Sequence, residues 1–362
     1  MKLSLAIAVS VAITGRLIIF LTTVEVLFLI SMFSALAMGT SVVLPALQIA
    51  IKRITTPVTR PAAFSLFYIF MNIAAMISGW TIDALRAKYP RDPVTNKPTG
   101  PDWDLGFTSF KFTYERAVIL TSFSVSLGMI PAVFCCLKST ENESELQSSR
   151  HKNIIRQFWI VIKERRFWKF LTFILLMSFV KKIFRYLDSI FGKYCERVLG
   201  PKTPWGTIAS LNPILIIFLV PIATPLSLKL NGYTQILIGS FITGISPFAL
   251  AISASVPAAV VFVVVLSIGE AIWSPRLYEY AVSIIERGKE GIYLGLGTSQ
   301  LFFSAVLSGL IGGGLVEAFC PVEKEDQRPQ LLWAIVGAAT LVSFVGLIVL
   351  RPCIELHPID KK

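Results

Sequence analysis

The stretch "GEAIWSPRLYEY" at residues 269–280 places Glu270, Arg276 and Glu279 directly after a long apolar run. That run, "SVPAAVVFVVVLSIG" at residues 255–269, contains no charge and is typical of a helix that crosses a membrane. A charged side chain at bilayer depth costs about 2.5–3.5 kcal/mol on insertion scales. These three charges are therefore expected to pair with each other or to face a water-filled cavity.

The composition of the whole chain is that of a multi-span membrane protein. Of its 362 residues, 54% are hydrophobic and only 15% are charged, and the mean hydropathy is +0.69. Soluble domains have about 25% charged residues. The net charge of +12 does not indicate a nucleic-acid partner, because the basic residues occupy short loops between apolar runs. Two His and five scattered Cys match no metal site or disulfide framework, and no cofactor is predicted.

About ten apolar runs have the length of about 20 residues that a membrane-spanning helix needs. They lie at residues 3–22, 25–50, 61–82, 115–137, 168–192, 207–229, 233–253, 256–284, 291–318 and 331–350. We therefore expect an all-α, polytopic fold, organised as an N-terminal bundle of four spans (1–137), a polar linker (138–168), a six-helix bundle (169–352) and a tail (353–362). The distribution of Lys and Arg favours a topology with both termini in the cytosol, in a membrane that the sequence does not identify.

Glycine and proline recur at matching places in the two predicted bundles. Gly39 and Pro45 in the second span have the same spacing as Gly269 and Pro275 in the eighth. Interrupted helices at corresponding positions of two halves are a sequence signal for a transport site. The stretch "SGLIGGG" at residues 308–314 predicts a small-residue face for close helix packing.

Three stretches resemble motifs of the major facilitator superfamily, and most closely those of its proton-coupled oligopeptide transporter branch. "GTSVVLP" at residues 39–45 is similar to the fourth-helix motif Gly-Thr-Gly-x-x-Lys-Pro. "FSLFYIFMNIAAM" at residues 64–76 is similar to the fifth-helix signature, and "GEAIWSP" at residues 269–275 to the tenth-helix motif Gly-Glu-x-x-x-Ser-Pro. Since the fourth-helix motif falls in the second span, the resemblance implies that the first two helices are lacking, which gives four plus six spans.

The resemblance also implies roles for single residues. Glu270 takes the position of the tenth-helix Glu that contacts the amino group of a peptide, and Ser274 takes that of the motif's Ser. Leu44 stands where the family has the Lys that helps to hold the peptide carboxylate. A peptide substrate is therefore not implied, although the fold and transport by alternating access are.

Charges within the fifth span supply further candidates. Lys181, Arg185 and Asp188 are spaced at i, i+4 and i+7 and share one helix face. They either form an anion-attracting patch on a cavity wall, or end the helix with their stems reaching the interface. Asn72 in the third span contacts either a solute or a neighbouring helix.

In the tenth-helix stretch, Arg276 and Glu279 are three residues apart and are expected to form a structural ion pair. Glu270 has no charged residue nearby in sequence and lies close to mid-span, so it is the candidate proton or substrate carboxyl.

The sequence thus predicts secondary transport of a small polar or charged solute by alternating access, with or without proton coupling. The expected partners are the solute, a proton and the lipid bilayer, and no oligomeric state is indicated. Two alternatives remain: a scaffold or receptor that keeps the fold without transport, and a truncated, inactive gene product. The sequence contains no catalytic triad or nucleotide motif, so an enzyme is not expected.

Overall fold

A computed structural model describes residues 2–89, 100–106, 108–136, 154–200, 203–227, 229–286, 288–321 and 323–356. These residues are almost entirely α-helical, as the hydropathy pattern predicts, and their one sheet is a two-stranded hairpin. Contacts divide the chain into two compact units, Met1–Ile54 with Ala75–Lys152, and Thr55–Ala74 with Asn153–Lys362. The bundle boundaries expected from the sequence stay a prediction.

The first unit is a group of helices with the hairpin at one end. Its elements are α1 (Lys2–Leu21), α2 (Glu25–Ser31), a π-helical turn (Met32–Leu36), α3 (Ala37–Ile54), the last part of α4 (Arg60–Lys88), β1 (Asp102–Asp104), β2 (Ser109–Lys111) and α5 (Tyr114–Cys136). Helix α1 packs against α3 and α5, with Val9 and Ala46 in the contact. Phe20, Phe110 and Phe112 form a second apolar cluster beside the hairpin.

The second unit contains the first part of α4 and the remaining helices. These are α6 (Ile154–Lys163), α7 (Arg165–Ser189), α8 (Phe191–Tyr194), a π-helical turn (Cys195–Leu199), α9 (Trp205–Ser227), α10 (Gly232–Ile245), α11 (Phe248–Ile252), α12 (Val256–Ser283), α13 (Glu290–Gly297), α14 (Ser299–Phe319), a 3-10 turn (Lys324–Asp326), α15 (Pro329–Val349) and α16 (Arg351–Ile354). Helix α12 packs against both α9 and α10, and α7 packs against α14 and α15. Phe191, Phe262 and Trp333 meet in the core of this unit.

The end of the described chain returns to α12. The hydroxyl of Tyr280 donates to the carbonyl oxygen of Leu356 at 2.9 Å, and it accepts a hydrogen bond from the Leu356 amide at 2.9 Å. Both groups are buried, so this pair holds the segment after α16 on the surface of α12.

The matching Gly and Pro residues do not interrupt their helices, contrary to the sequence prediction. Helix α3 continues through Pro45, and α12 continues through Pro275. Each glycine lies where its helix crosses another one, α1 for Gly39 and α10 for Gly269. A Cβ on Gly39 would lie 2.6 Å from the Ala8 carbonyl oxygen, and one on Gly269 would lie 2.4 Å from the Thr243 hydroxyl oxygen. The two glycines therefore permit close helix crossings rather than breaks.

Six segments of the described chain are long and apolar enough to cross a membrane. They are Glu25–Ile54, Arg60–Ile82, Trp205–Leu226, Gly232–Ile252, Val256–Ser283 and Pro329–Val349. The remaining spans that the sequence predicts correspond to α1, α5, α7 and α14, which are not among these six. In α7 the cations Lys181, Lys182 and Arg185 reduce the hydropathy of the helix.

Candidate functional site

Glu270 lies in the middle of α12 and is buried, with 7% of its surface exposed. Its two carboxylate oxygens accept hydrogen bonds from two other helices. Tyr68 of α4 donates its hydroxyl to Oε1, and Asn212 of α9 donates its Nδ2 to Oε2 at 2.7 Å. Hydrogen bonds to an ionised acceptor are about twice as strong as neutral ones, so they offset part of the cost of burying the carboxylate.

Two serines of α12 complete the polar surroundings. Asn212 Nδ2 lies 3.1 Å from the hydroxyl of Ser267, which donates to the Val263 carbonyl at 2.8 Å. Ser274 is buried one turn after Glu270 and interacts with the Tyr68 hydroxyl. We refer to these residues together as the Glu270 cluster: Glu270, Tyr68, Asn212, Ser267 and Ser274.

A buried cation lies next to the cluster. Lys181 of α7 is 9% exposed, and its Nζ is 5.1 Å from the ring centroid of Tyr278 and 5.9 Å from that of Trp273. The Tyr278 ring is in turn 6.1 Å from the ring of Tyr68. Cation–π contacts of this kind stabilise a desolvated ammonium. Lys181 and Glu270 are therefore connected through two tyrosine side chains.

The other residues predicted for the solute pathway have different surroundings. Arg185 is exposed, although it follows Lys181 by one turn of α7. The side chain of Asp188 lies outside the described residues. Asn72 is half-buried in α4 and donates its Nδ2 to the carbonyl of Tyr68 at 2.9 Å. Its amide thus supports the turn that carries Tyr68.

Arg276 links three helices near one end of α12. It is 2% exposed, and its Nη1 lies 2.6 Å from Glu279 Oε2. Its Nη2 donates to the Ser65 hydroxyl at 2.9 Å and to the Pro61 carbonyl at 3.4 Å. The Ser65 hydroxyl is 2.7 Å from that of Thr224 in α9. The helices α4, α9 and α12, which supply the Glu270 cluster, are thus joined a second time.

The sequence alone does not predict Tyr68, Asn212 or Ser267 as members of the site. Tyr68 lies within the quoted stretch at residues 64–76, one turn before Asn72, and a tyrosine inside an apolar helix needs a partner for its hydroxyl. Asn212 is a similar signal, since a buried side-chain amide is nearly always hydrogen-bonded. Tyr68 and Asn212 are 202 and 58 residues from Glu270, so no local pattern connects them.

An ion cluster lies outside the spans, where the loop after α12 meets the start of α7. Lys289 Nζ is 2.5 Å from Glu164 Oε1 and 2.6 Å from Glu286 Oε2. Burial disfavours the Lys289 ammonium, but hydrogen bonds to Glu164 and Glu286 outweigh this effect and raise its pKa. The hydrogen bond from Lys289 lowers the pKa of Glu286. We call Glu164, Glu286 and Lys289 the Lys289 cluster.

A cavity of about 500 Å³ lies between α14 and the end of α7. Ser189, Lys193, Ser308, Gly313 and Glu317 are among the residues that line it, and no member of the Glu270 cluster does. Within the described residues, no group of three or more His, Cys, Asp or Glu side chains is arranged to hold a metal ion. The Glu270 cluster is a buried, hydrogen-bonded set of side chains from α4, α9 and α12.

No protein-family model matches the chain, and no curated protein matches it. Solved structures match it over nearly its whole length. The proton:xylose symporter XylE is 11% identical with a TM-score of 0.69, and the match covers 99% of this chain and 82% of XylE. A POT family transporter in complex with 5-aminolevulinic acid is 16% identical with a TM-score of 0.57, covering 97% and 82%. The human organic anion transporter MFSD10 (TETRAN) is 11% identical with a TM-score of 0.64, covering 94% and 75%.

These matches describe the fold, and they do not distinguish the oligopeptide transporter branch from a sugar transporter. The matching proteins are transporters rather than enzymes. The chain thus has the fold of these transporter structures, which include a member of the major facilitator superfamily, and six of its described segments are long and apolar enough to cross a membrane.

Proposed function

We propose that the chain is a secondary transporter that moves a small, polar, charged solute across a membrane by alternating access. Glu270 is the carboxyl that takes up a proton or binds a cationic group of the solute. The observation that carries this proposal is the burial of Glu270 between α4, α9 and α12, with both oxygens hydrogen-bonded. An ionisable residue kept within a spanning helix costs about 2.5–3.5 kcal/mol, so its retention favours a role in transport.

Protonation of Glu270 changes the hydrogen bonds that it makes to the two neighbouring helices. An ionised carboxylate only accepts hydrogen bonds, whereas the protonated acid also donates one. The Tyr68 hydroxyl and the Asn212 amide both donate to the ionised form. Loading of a proton therefore weakens at least one link from α12 to α4 or α9. Such a change in helix contacts is what a proton-coupled carrier requires.

The charges around the site favour a zwitterionic or anionic solute. The Lys181 ammonium is available to an anionic group, and the Glu270 carboxylate to an ammonium group or a proton. Tyr68 and Tyr278 lie between them and offer aromatic faces to a cation. Arg185, exposed farther along α7, adds positive charge that attracts anionic solutes. A neutral sugar would leave the buried charges without a partner in the solute.

The solved structures of the same fold are described with both neutral and charged solutes. One is a proton:xylose symporter, one is bound to 5-aminolevulinic acid and one is an organic anion transporter, so our preference for a charged solute rests on the buried charges of this chain. In our proposal both termini lie in the cytosol, and the two predicted bundles rock about the solute. Asn72 supports the position of Tyr68 through its hydrogen bond to the backbone.

Uptake into proteoliposomes tests the role of Glu270. The purified protein is reconstituted and offered labelled amino acids, 5-aminolevulinic acid, dipeptides, xylose and organic anions, with the external solution acidified. For a transported solute, Glu270→Gln should reduce proton-driven uptake at least about tenfold, because the glutamine cannot carry a proton. Exchange of internal for external solute without a proton gradient should be reduced much less if Glu270 is the proton carrier. If Glu270 binds the solute, the rates of proton-driven uptake and of solute exchange should both decrease in Glu270→Gln.

The matched control is Glu317→Gln, which removes a carboxylate that is 73% exposed on α14. This variant should transport at the wild-type rate. Uptake that is unaffected by Glu270→Gln would remove Glu270 from the mechanism. Absence of transport for every solute class would favour a protein that keeps the fold for another purpose.

A further inference from the structure

Helix α6 presents an aromatic and basic surface that the Glu270 cluster does not use. Its sequence "IIRQFWIVIK" places apolar residues along one side and Arg156 and Lys163 along another. Val161 is buried and fixes the helix to the protein, whereas Phe158 and Trp159 are 37% and 58% exposed. The outward side of α6 therefore combines exposed rings with exposed cations.

Trp159 is the centre of this surface. Arg156 precedes it by three residues and Lys163 follows it by four, so both cations flank the indole on the helix, and both are exposed. Trp168 in the first turn of α7 is 53% exposed, and its Nε1 donates to the Ile162 carbonyl at 2.7 Å. This hydrogen bond fixes the junction of α6 and α7, so the exposed aromatic residues are held in a defined arrangement.

The sequence of this segment is strongly basic. The basic residues between positions 150 and 169 are Arg150, Lys152, Arg156, Lys163, Arg165, Arg166 and Lys169. Glu164 is the acidic residue of this range, and its carboxylate binds Lys289 and Tyr293. Within the part of the chain that the structure describes, Arg156, Lys163 and Arg165 form no ion pair. Positive charge is thus directed outward.

We propose that α6 and the first turn of α7 form an interfacial anchor that binds the headgroups of anionic phospholipids. Glu164 alone separates α6 from α7, whose residues 168–192 are predicted to enter the bilayer, so α6 is held at the level of the headgroups. Trp and Phe prefer this depth, and Lys and Arg bind the lipid phosphates beside them. The leaflet is the one on the linker side, which the Lys and Arg distribution assigns to the cytosol.

Hydrogen exchange on the full-length protein in nanodiscs tests this proposal. The discs contain phosphatidylcholine alone or phosphatidylcholine mixed with phosphatidylserine, and the exchange of peptides from residues 154–163 is followed by mass spectrometry. We expect slower exchange in the anionic discs, and this difference should shrink at high salt because salt screens exposed charges. In Arg156→Gln/Lys163→Gln the extra protection that phosphatidylserine gives to residues 154–163 should fall by roughly 25-fold, since each basic residue near an anionic surface contributes about fivefold to binding.

The matched control is Lys111→Gln/Lys193→Gln, which removes two exposed cations from β2 and α8. It should keep the full response of residues 154–163 to phosphatidylserine. Equal exchange of the wild type in both kinds of disc would overturn the proposal, whether or not the variants fold. So would protection of the wild type by inorganic phosphate or a soluble acidic peptide in neutral discs without any response to phosphatidylserine, because the surface would then serve a soluble ligand.

Discussion

At the scale of single residues, the Lys289 cluster ties the loop after α12 to the start of α7. We predict that Lys289→Met lowers stability at neutral pH by on the order of 1 kcal/mol or less, because partly exposed ion pairs contribute little. The lowered pKa of Glu286 gives stability that is present above the ordinary value of 4.5 and is lost as the pH falls through the lowered, folded value. The raised pKa of Lys289 gives stability that is present below 10.5 and is lost as the pH rises through the raised value.

Thermal unfolding in detergent, followed by tryptophan fluorescence, measures this difference. The gap in melting temperature between wild type and Lys289→Met should be present at neutral pH and should shrink as the pH falls through the lowered pKa of Glu286, because protonation removes that partner of Lys289. Lys111→Met serves as the control, because Lys111 is an exposed lysine of β2. A gap that widened in acid would contradict the assignment of the stabilising charge to this cluster.

The position of Glu270 within an apolar run could be predicted from the sequence, but its hydrogen-bond partners could not. A lone carboxylate in an apolar run can be recognised from the sequence, because the free-energy cost of placing a charge in a spanning helix depends on that residue and its neighbours along the chain. Tyr68 and Asn212 reach Glu270 only through packing of helices that are distant along the chain. The spacing of Lys181 and Arg185 correctly gives one helix face, yet burial differs between them. Burial depends on which neighbouring helix covers each turn, and spacing carries no information on that.

At the scale of helices, the crossing of α10 and α12 depends on two glycines. A Cβ on Gly239 would lie 2.7 Å from Trp273 Cβ and 2.8 Å from the Gly269 carbonyl oxygen. We predict that Gly239→Ala destabilises the protein by about 1–3 kcal/mol, because overpacking of a well-filled contact forces the backbones apart. Thermal unfolding in detergent measures the loss.

Gly313→Ala in α14 is the matched control. No described atom lies within 4 Å of the position of its added Cβ, so the variant should be neutral or slightly more stable, since Ala favours a helix over Gly by about 1 kcal/mol. An equal effect of the two substitutions would show that helix propensity, and not the close crossing, determines the result.

The glycines also show where sequence patterns lose their predictive value for helices. Gly39 with Pro45 and Gly269 with Pro275 have the same spacing, and both glycines lie at close helix crossings. The predicted breaks are absent, because a proline removes a single backbone hydrogen bond and neighbouring groups can compensate for it. In the most glycine-rich stretch, residues 308–314, a Cβ on Gly312 would lie 2.9 Å from Ile190, whereas Gly309, Gly313 and Gly314 have no close neighbour among the described atoms. Composition therefore identifies a region of close packing but not which glycine makes the contact.

At the scale of the whole molecule, the excess of Lys and Arg predicts that both chain ends face the cytosol. Cys353, exposed in α16 behind the last spanning helix, is a native reporter for this topology. A membrane-impermeant maleimide should leave Cys353 unlabelled in intact cells and should label it after permeabilisation. Cys195 and Cys320 are buried and should not react in the folded protein.

The variant Cys353→Ser isolates the signal of this thiol from that of the other cysteines. The label that appears on permeabilisation should decrease in the variant by the contribution of Cys353. Labelling of Cys353 in intact cells would place the chain end outside and would reverse the orientation proposed for α6.

The class of fold is predictable from the sequence because the bilayer imposes one rule on every span. Backbone groups in lipid have to be satisfied within the helix, so apolar runs of sufficient length become helices. The charged helix α7 shows the limit of this rule. Lys181 and Lys182 are buried by aromatic rings from other parts of the second unit and of α7 itself, which hydropathy does not register.

The hydrogen bonds between Tyr280 and Leu356 have a practical consequence for anyone who tags this protein. A fluorescent reporter fused immediately after Leu356 would lie next to Tyr280, a residue of the helix that carries Glu270. Deletion of the segment after α16 would remove both hydrogen bonds of the Tyr280 hydroxyl to Leu356. Fusions should therefore begin after a flexible spacer. If shortening the tail abolishes activity, a disturbance of α12 should be tested before a defect in sorting or expression.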